Sequence, residues 1–253
     1  MHRILWNGAT GTLSQMQYLD NTANNIANTN TNSFKCRDSS FAELVSQNLA
    51  ATGDNSNRTF CGTGVKVTGS YSDFTPGLLT KSDNPLNLAI NGKGFLRVVD
   101  DEGREFYTRD GNFQVDEKGR LANISGQFLP DIEIPEDTRE VLIHSNGSVE
   151  VIDTEGNTDD AGRVTLFTFE SSQGLQPVGN NLFEAGTESG DPQEQYPGEN
   201  ETGELKQGFM ELSNVDMTKE MTALVTTQRA LQMNAQSIKT ADQLWEMANN
   251  LRR

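Results

Sequence analysis

From Phe209 to the last residue the chain contains neither glycine nor proline. Within that run Met217, Met221, Leu224, Leu231, Ala235, Ile238 and Trp245 recur on one stripe, broken by Gln228 and Asp242. So long an uninterrupted run at helical spacing predicts an α-helix over 214–252. Ser213 or Asn214 is the expected N-cap, because a short polar side chain there accepts from the first free N–H groups. Glu220 near the start and Arg252 and Arg253 at the end complement the helix dipole. The other end of the chain repeats the pattern. Leu5, Ala9, Thr12, Met16, Leu19, Ala23 and Ile26 step by four and three alternately, which predicts a second helix over 3–28. Both seams are lean in large residues, and isolated helices are marginal in water. The two helices are therefore expected to pair antiparallel, and to need a partner beyond the chain itself.

Between them the period changes. FLRVV, REFYTR and FQVD alternate from Phe95 with Asp/Gly turns every six to nine residues. That spacing reads as an antiparallel meander. Asn146-Gly147 in HSNGSVEVI marks another hairpin, and RVTLFTFE (163–170) a strand. No helical run of ten residues interrupts 64–185, which excludes βαβ units. The fold class is α+β: terminal helices pairing as a coiled-coil-like layer, with an inserted antiparallel β-rich domain. The expected division is 1–35 with 208–253 as the helical part, 36–75 as a linker or extended arm, and 76–207 as the β-rich domain. SFAELVSQNLA (40–50) fits a short helix or an extended arm, and the Gly/Asn/Thr-rich 51–64 a linker.

The chain offers little for catalysis. Asp100, Asp101 and Glu102 cluster, as do Asp159 and Asp160, but each group sits beside glycine in a turn pattern, where Asp caps its own backbone. NGKGF (91–95) lacks the following helix that a phosphate loop needs, so its glycines are assigned to a tight turn or close backbone approach. His2 and His144 are the two histidines, no G-x-S-x-G is present, and no triad can be named. Cys36 and Cys61 are the two cysteines, without a CxxC. They do not support a metal site; a Cys36–Cys61 disulfide is one reading, and two buried or free thiols the favoured one, because one pair does not make a disulfide framework. No catalytic, cofactor or metal residue is assigned.

Net charge is −16, from 36 acidic and 20 basic residues, which argues against nucleic acid or an anionic membrane as partner. No apolar run is long enough to span a bilayer. The N-terminus lacks the basic and apolar regions of a secretory signal. Residues 186–204 are acidic and Pro/Gly-rich and read as a solvated loop.

Five of the nine residues 24–32 are asparagine, in NNIANTNTNSFK (24–35). Asparagine suits helix ends and left-handed positions, and pairs with other amides. With its lead-in, LDNTANNIANTNTNSFK (19–35) resembles the N-terminal signature of flagellar rod and hook proteins, the axial family of the bacterial flagellum. NPLNLAINGKGFLRV…YTRDGNFQVDEKGRL (84–121) looks like that family's central β segment. GFMELSNVDMTKEMTALVTTQRALQMNAQSIKTADQLW (208–245) looks like its C-terminal helix. The three blocks cover nearly half the chain, in the family's order, and size and compact middle resemble the rod members most. Ser33 departs from the glycine usual before Phe34-Lys35, and Leu231 from the aromatic usual after QRA.

The resemblance implies a non-catalytic subunit of the flagellar basal body, exported by the flagellar type III apparatus. It implies a helical tube with the terminal helices inside and the β domain outside, built with other rod and hook subunits as partners. A hook or hook-like subunit is the alternative, and a β-domain carbohydrate binder a more distant one. The residues expected at subunit contacts are Leu5, Met16, Leu19, Asn24, Asn25, Ile26 and Asn28 near the first helix. Met221, Leu224, Leu231, Ile238 and Trp245 are those on the second.

Overall fold

The computed structural model describes residues 2–44, 47–49, 59–135, 138–199 and 202–251. The chain forms two compact units. One contains Met1–Thr29, Cys36–Asp73 and Val215–Arg253, the other Asn30–Lys35 and Phe74–Asn214. The architecture is α+β, with a helix at either end of a large antiparallel sheet region.

In the first unit, α1 (His2–Ala27) packs against α2 (Met217–Asn250). Gly8 lies against Ile238 and Gly11 against Asn234, so the helices run antiparallel. The buried face of α1 is Gly8, Gly11, Ser14, Thr22 and Asn25, not the stripe of larger residues that the periodicity singled out. The physical reason is distance. The helices approach so closely that a Cβ at Gly8 would sit 2.8 Å from Ile238 Cγ1, and one at Gly11 3.0 Å from Asn234 Nδ2. Only small residues fit there, and the larger ones are turned towards the rim. Gly8→Val is expected to cost about 1–3 kcal/mol through overpacking, offset only slightly by better helix propensity. Gly8→Ala should be milder, because about 1 kcal/mol of helix propensity opposes its clash. Urea unfolding followed by far-ultraviolet circular dichroism checks both.

Asp216 caps α2: its carboxylate accepts from Thr218 N at 2.9 Å and Lys219 N at 3.3 Å. Ser213 and Asn214 were expected there. They lie too early, because Val215 and Asp216 remain extended before the first turn. Arg252 and Arg253 fall outside the described residues.

Arg37–Glu43 and Val65–Ser72 pair antiparallel along α1, with a bulge between Ser40 and Phe41. Gln47–Leu49 pairs with Thr59–Cys61 beyond them. The helical alternative for 40–50 is corrected where residues are described: Ser40 to Glu43 are strand, with Phe41 opposite Val67 and Glu43 opposite Val65. Residues 45–46 and 50–58 lie outside the described residues. Polar side chains hold the hairpin to α1. Ser14 Oγ donates to Val65 O at 3.2 Å, and Asn21 Nδ2 reaches Ser39 Oγ at 2.5 Å and Ser70 Oγ at 3.1 Å.

In the second unit, twelve of the described strands join one antiparallel sheet. Its central ladder pairs Phe95–Val99 with Glu105–Thr108, and Val98, Leu96, Phe113, Leu121, Ile132 and Leu166 bury their side chains beneath it. A second cluster is aromatic. Phe95, Tyr107, Phe167 and Phe183 pack with Phe74 and Phe169, mostly edge to face, the arrangement that ring quadrupoles favour. The hairpin expected at Asn146-Gly147 joins Thr138–Ile143 to Ser148–Asp153. The strand expected over 163–170 is divided between Thr158–Arg163 and Leu166–Thr168. Within the acidic segment 186–204 the described residues are not simply a solvated loop: Gln193–Gln195 pairs with Leu166–Thr168, and Ser189 is fully buried. Gly92 (φ +135°) serves close approach, since a Cβ there would meet Gly203 Cα at 2.6 Å.

Candidate assembly interface

Turning small residues inward on α1 leaves large apolar ones outside. Trp6, Leu13 and Met16 are 61, 63 and 51 % exposed on the side of α1 away from its seam. On α2, Met221, Met233, Leu244, Trp245 and Met247 are likewise exposed. Large apolar side chains exposed in this number on a folded chain make these helix faces candidates for a contact with another molecule. Among the residues expected at subunit contacts, Met16, Met221 and Trp245 lie on these exposed faces. Leu5, Leu19, Ile26, Leu224, Leu231 and Ile238 are half-buried, and Ile238 meets Gly8 inside the chain. Trp6 and Leu13 escaped the sequence reading because they fall outside the four-three stripe.

The asparagines divide. Asn24 is exposed. Asn28 Nδ2 donates back to Asn24 O at 2.9 Å, closing the last turn of α1. Asn25 is 2 % exposed, and its amide is used within the chain. Its Nδ2 donates to Arg37 O and its Oδ1 accepts from Arg37 N, both at 2.9 Å, as a neighbouring strand would. Nδ2 also lies 3.2 Å from Cys36 Sγ. Burial and the Glu220 carboxylate 3.7 Å away push the Cys36 thiol up to about 12, so it stays protonated. Asn25→Asp replaces a donor with an acceptor opposite Arg37 O. It should cost about 1–3 kcal/mol in monomer stability, and Asn25→Ser, too short to reach, a similar amount. Thermal unfolding of the two monomers measures this without any assembly step.

In the second unit a buried ionic cluster ties three distant segments. Glu211 Oε1 accepts from Lys35 Nζ at 2.6 Å and from Gly77 N at 2.8 Å, and Oε2 from Arg109 Nε at 3.0 Å. The side chains of Lys35, Arg109 and Glu211 are 1, 2 and 0 % exposed. Arg109 also donates to Gly94 O at 3.0 Å and Gly92 O at 2.9 Å, and Lys35 to Thr75 O at 3.0 Å. Burial pushes the Glu211 carboxyl up, but the Arg109 and Lys35 charges outweigh it and hold the group below its ordinary value. Ser33 sits at φ +56°, the left-handed conformation that a glycine would adopt freely. Its Oγ donates to Arg109 O at 3.0 Å and its N–H to Glu211 O at 2.8 Å, which offsets the cost of the side chain.

No cluster of His, Cys, Asp or Glu among the described residues could hold a metal ion. No helix among them is long and apolar enough to cross a membrane.

Residues 89–151 match the family model of the flagellar hook protein FlgE/F/G D1 domain, and 206–251 that of the flagellar basal body rod FlgEFG protein C-terminal region. Both belong to the hook and rod class of flagellar proteins. Full-length relatives narrow the class. The flagellar basal-body rod protein FlgG of Buchnera aphidicola subsp. Acyrthosiphon pisum is 36% identical over 98% of each chain. The FlgG proteins of Bacillus subtilis and Caulobacter vibrioides are 36% identical over 100% of each chain and 35% over 99%. The chain belongs to the flagellar basal-body rod protein family.

Proposed function

We propose that the protein stacks head-to-tail into a helical tube through the exposed faces of α1 and α2, and that this tube transmits torque. As a rod-family member it is a structural subunit of the flagellar basal body, and full-length similarity to rod proteins leaves a hook subunit the less supported alternative. One observation carries the assembly reading: α1 turns Gly8 and Gly11 against Ile238 and Asn234 of α2, while Trp6, Leu13 and Met16 on α1 and Met233 and Met247 on α2 are left in solvent. A two-fold contact would consume such faces in a closed dimer, whereas a head-to-tail contact leaves each subunit able to accept the next. Partners are further copies and other rod or hook subunits. Passage through the flagellar export apparatus follows from the family resemblance, as does a purely structural, non-enzymatic role. Sedimentation and electron microscopy of purified protein across a concentration series test the reading. Filaments or short tubes above a threshold concentration support it; a closed dimer at every concentration refutes it.

A further inference from the structure

In the sheet unit, Phe113–Val115 and Arg120–Asn123 form a hairpin that is followed by the strand Phe128–Glu133. At one end of these strands is a groove of about 500 Å³ whose apolar lining, Leu86, Val115, Ile134, Pro135 and Val141, is flanked in the chain by charged lining residues such as Asp116 and Arg139. Val115 is 44 % exposed on its wall. At the opposite end is the turn 124–127, whose tip is Ile124, 80 % exposed. Turn chemistry does not ask for isoleucine there. Asn123 Oδ1 accepts from Ser125 N and Gln127 N, both at 3.0 Å, and Gly126 supplies the positive φ of +89°. Residue 124 is therefore free to be polar, as turn residues usually are, and a β-branched apolar side chain is the least suited to it.

Knob and groove stand at opposite ends of one six-residue strand, roughly 20 Å apart at the usual rise. A knob and a hole at opposite ends of one element cannot satisfy each other within a chain. They match when one copy is displaced along the strand direction relative to the next, which is the open, head-to-tail relation. We propose that Ile124 of one copy seats in the Leu86/Val115/Ile134 groove of the next, so that the sheet units contribute a specific contact besides that of the helices. This rests on the head-to-tail reading above.

The test is a disulfide between copies. In a Cys36→Ala, Cys61→Ser background, Ile124→Cys and Val115→Cys are combined in one chain, polymerised, oxidised and run on a non-reducing gel. The expected result is a ladder of crosslinked oligomers from the double variant and none from either single variant. Polymer without a ladder overturns the knob-and-groove contact and leaves head-to-tail assembly standing. A crosslinked dimer from Ile124→Cys alone also overturns it, because the tips would then meet each other. A parent that forms only closed dimers overturns the underlying reading and this contact together. Ile124→Ser, which removes an aliphatic side chain from a contact it would bury, is expected to raise the threshold concentration roughly ten-fold; an unchanged threshold counts against the proposal.

Discussion

Glu211→Ala is expected to remove about 3–5 kcal/mol of stability, because it leaves Lys35 and Arg109 buried without their counter-charge. Domains of ordinary stability have about 5–15 kcal/mol in all, so this single change brings the sheet unit close to unfolding at room temperature. Glu211→Gln should cost less. It keeps the shape and an acceptor for Gly77 N, but the two cations lose the charge that compensates their burial. Acid has the same effect on the wild type. A carboxyl whose folded value lies below its unfolded one contributes stability above the unfolded value and loses it as pH falls through the folded one. For Glu211 the loss should begin as pH drops below about 4.5. Urea titrations at several pH values check both statements. Glu211→Gln should show a shallower fall in stability below that pH than the wild type. Parallel pH profiles would mean that the cluster is not what acid disrupts.

Leu13→Asp is expected to abolish polymerisation while leaving the monomer as stable as the wild type. Leu13 is 63 % exposed, and so is its neighbour along that face of α1, Trp6, at 61 %; substitutions at such positions change monomer stability by about 0.5 kcal/mol or less. In a packed tube the same carboxylate would be buried without a partner, at a cost of several kcal/mol per subunit. Each 1.4 kcal/mol is about ten-fold in a binding constant, so the threshold concentration should rise about a hundred-fold or more. Met233→Asp should behave alike on α2. Leu224 and Leu231 are poorer probes, since both are half-buried on α2 and a charge there also disturbs the chain's own packing. Paired sedimentation and unfolding measurements separate the two effects. A Leu13→Asp chain that polymerises at the wild-type threshold would remove the helix face from the assembly.

The helices, the antiparallel insert and the family were legible from the chain. A long run without glycine or proline permits few folds, and Asp/Gly turns between β-branched runs permit few others. The faces of the helices were not legible. Hydrophobic periodicity assumes that large residues go inside, and α1 reverses this, because Gly8 and Gly11 let α2 come close and displace Leu5 and Met16 from the seam. The N-cap was misplaced for a related reason: Asp216 is as good a cap as Asn214, and only the backbone decides which of them stands at the first turn. The ionic cluster is non-local. Glu211 is 176 residues from Lys35 and 102 from Arg109, and no local pattern joins them. A signal was nevertheless present, since Lys35, Arg109 and Glu211 each fall in one of the three blocks that carry the family resemblance. The asparagine cluster was assigned to contacts between subunits, whereas Asn25 completes a strand-like pair with Arg37 inside its own chain.

The outward faces of α1 and α2 are expected to be open in the monomer and covered in the assembled state. Hydrogen–deuterium exchange on the same preparation before and after polymerisation tests this most directly. Amides of α1 and α2 should exchange measurably faster in the dilute monomer, where one face of each helix is uncovered and local opening is easier, than in the polymer, where they become strongly protected. Those of the central ladder, Phe95–Val99 and Glu105–Thr108, should be protected equally in both. Helices that exchange at the same rate in polymer and monomer would contradict the account.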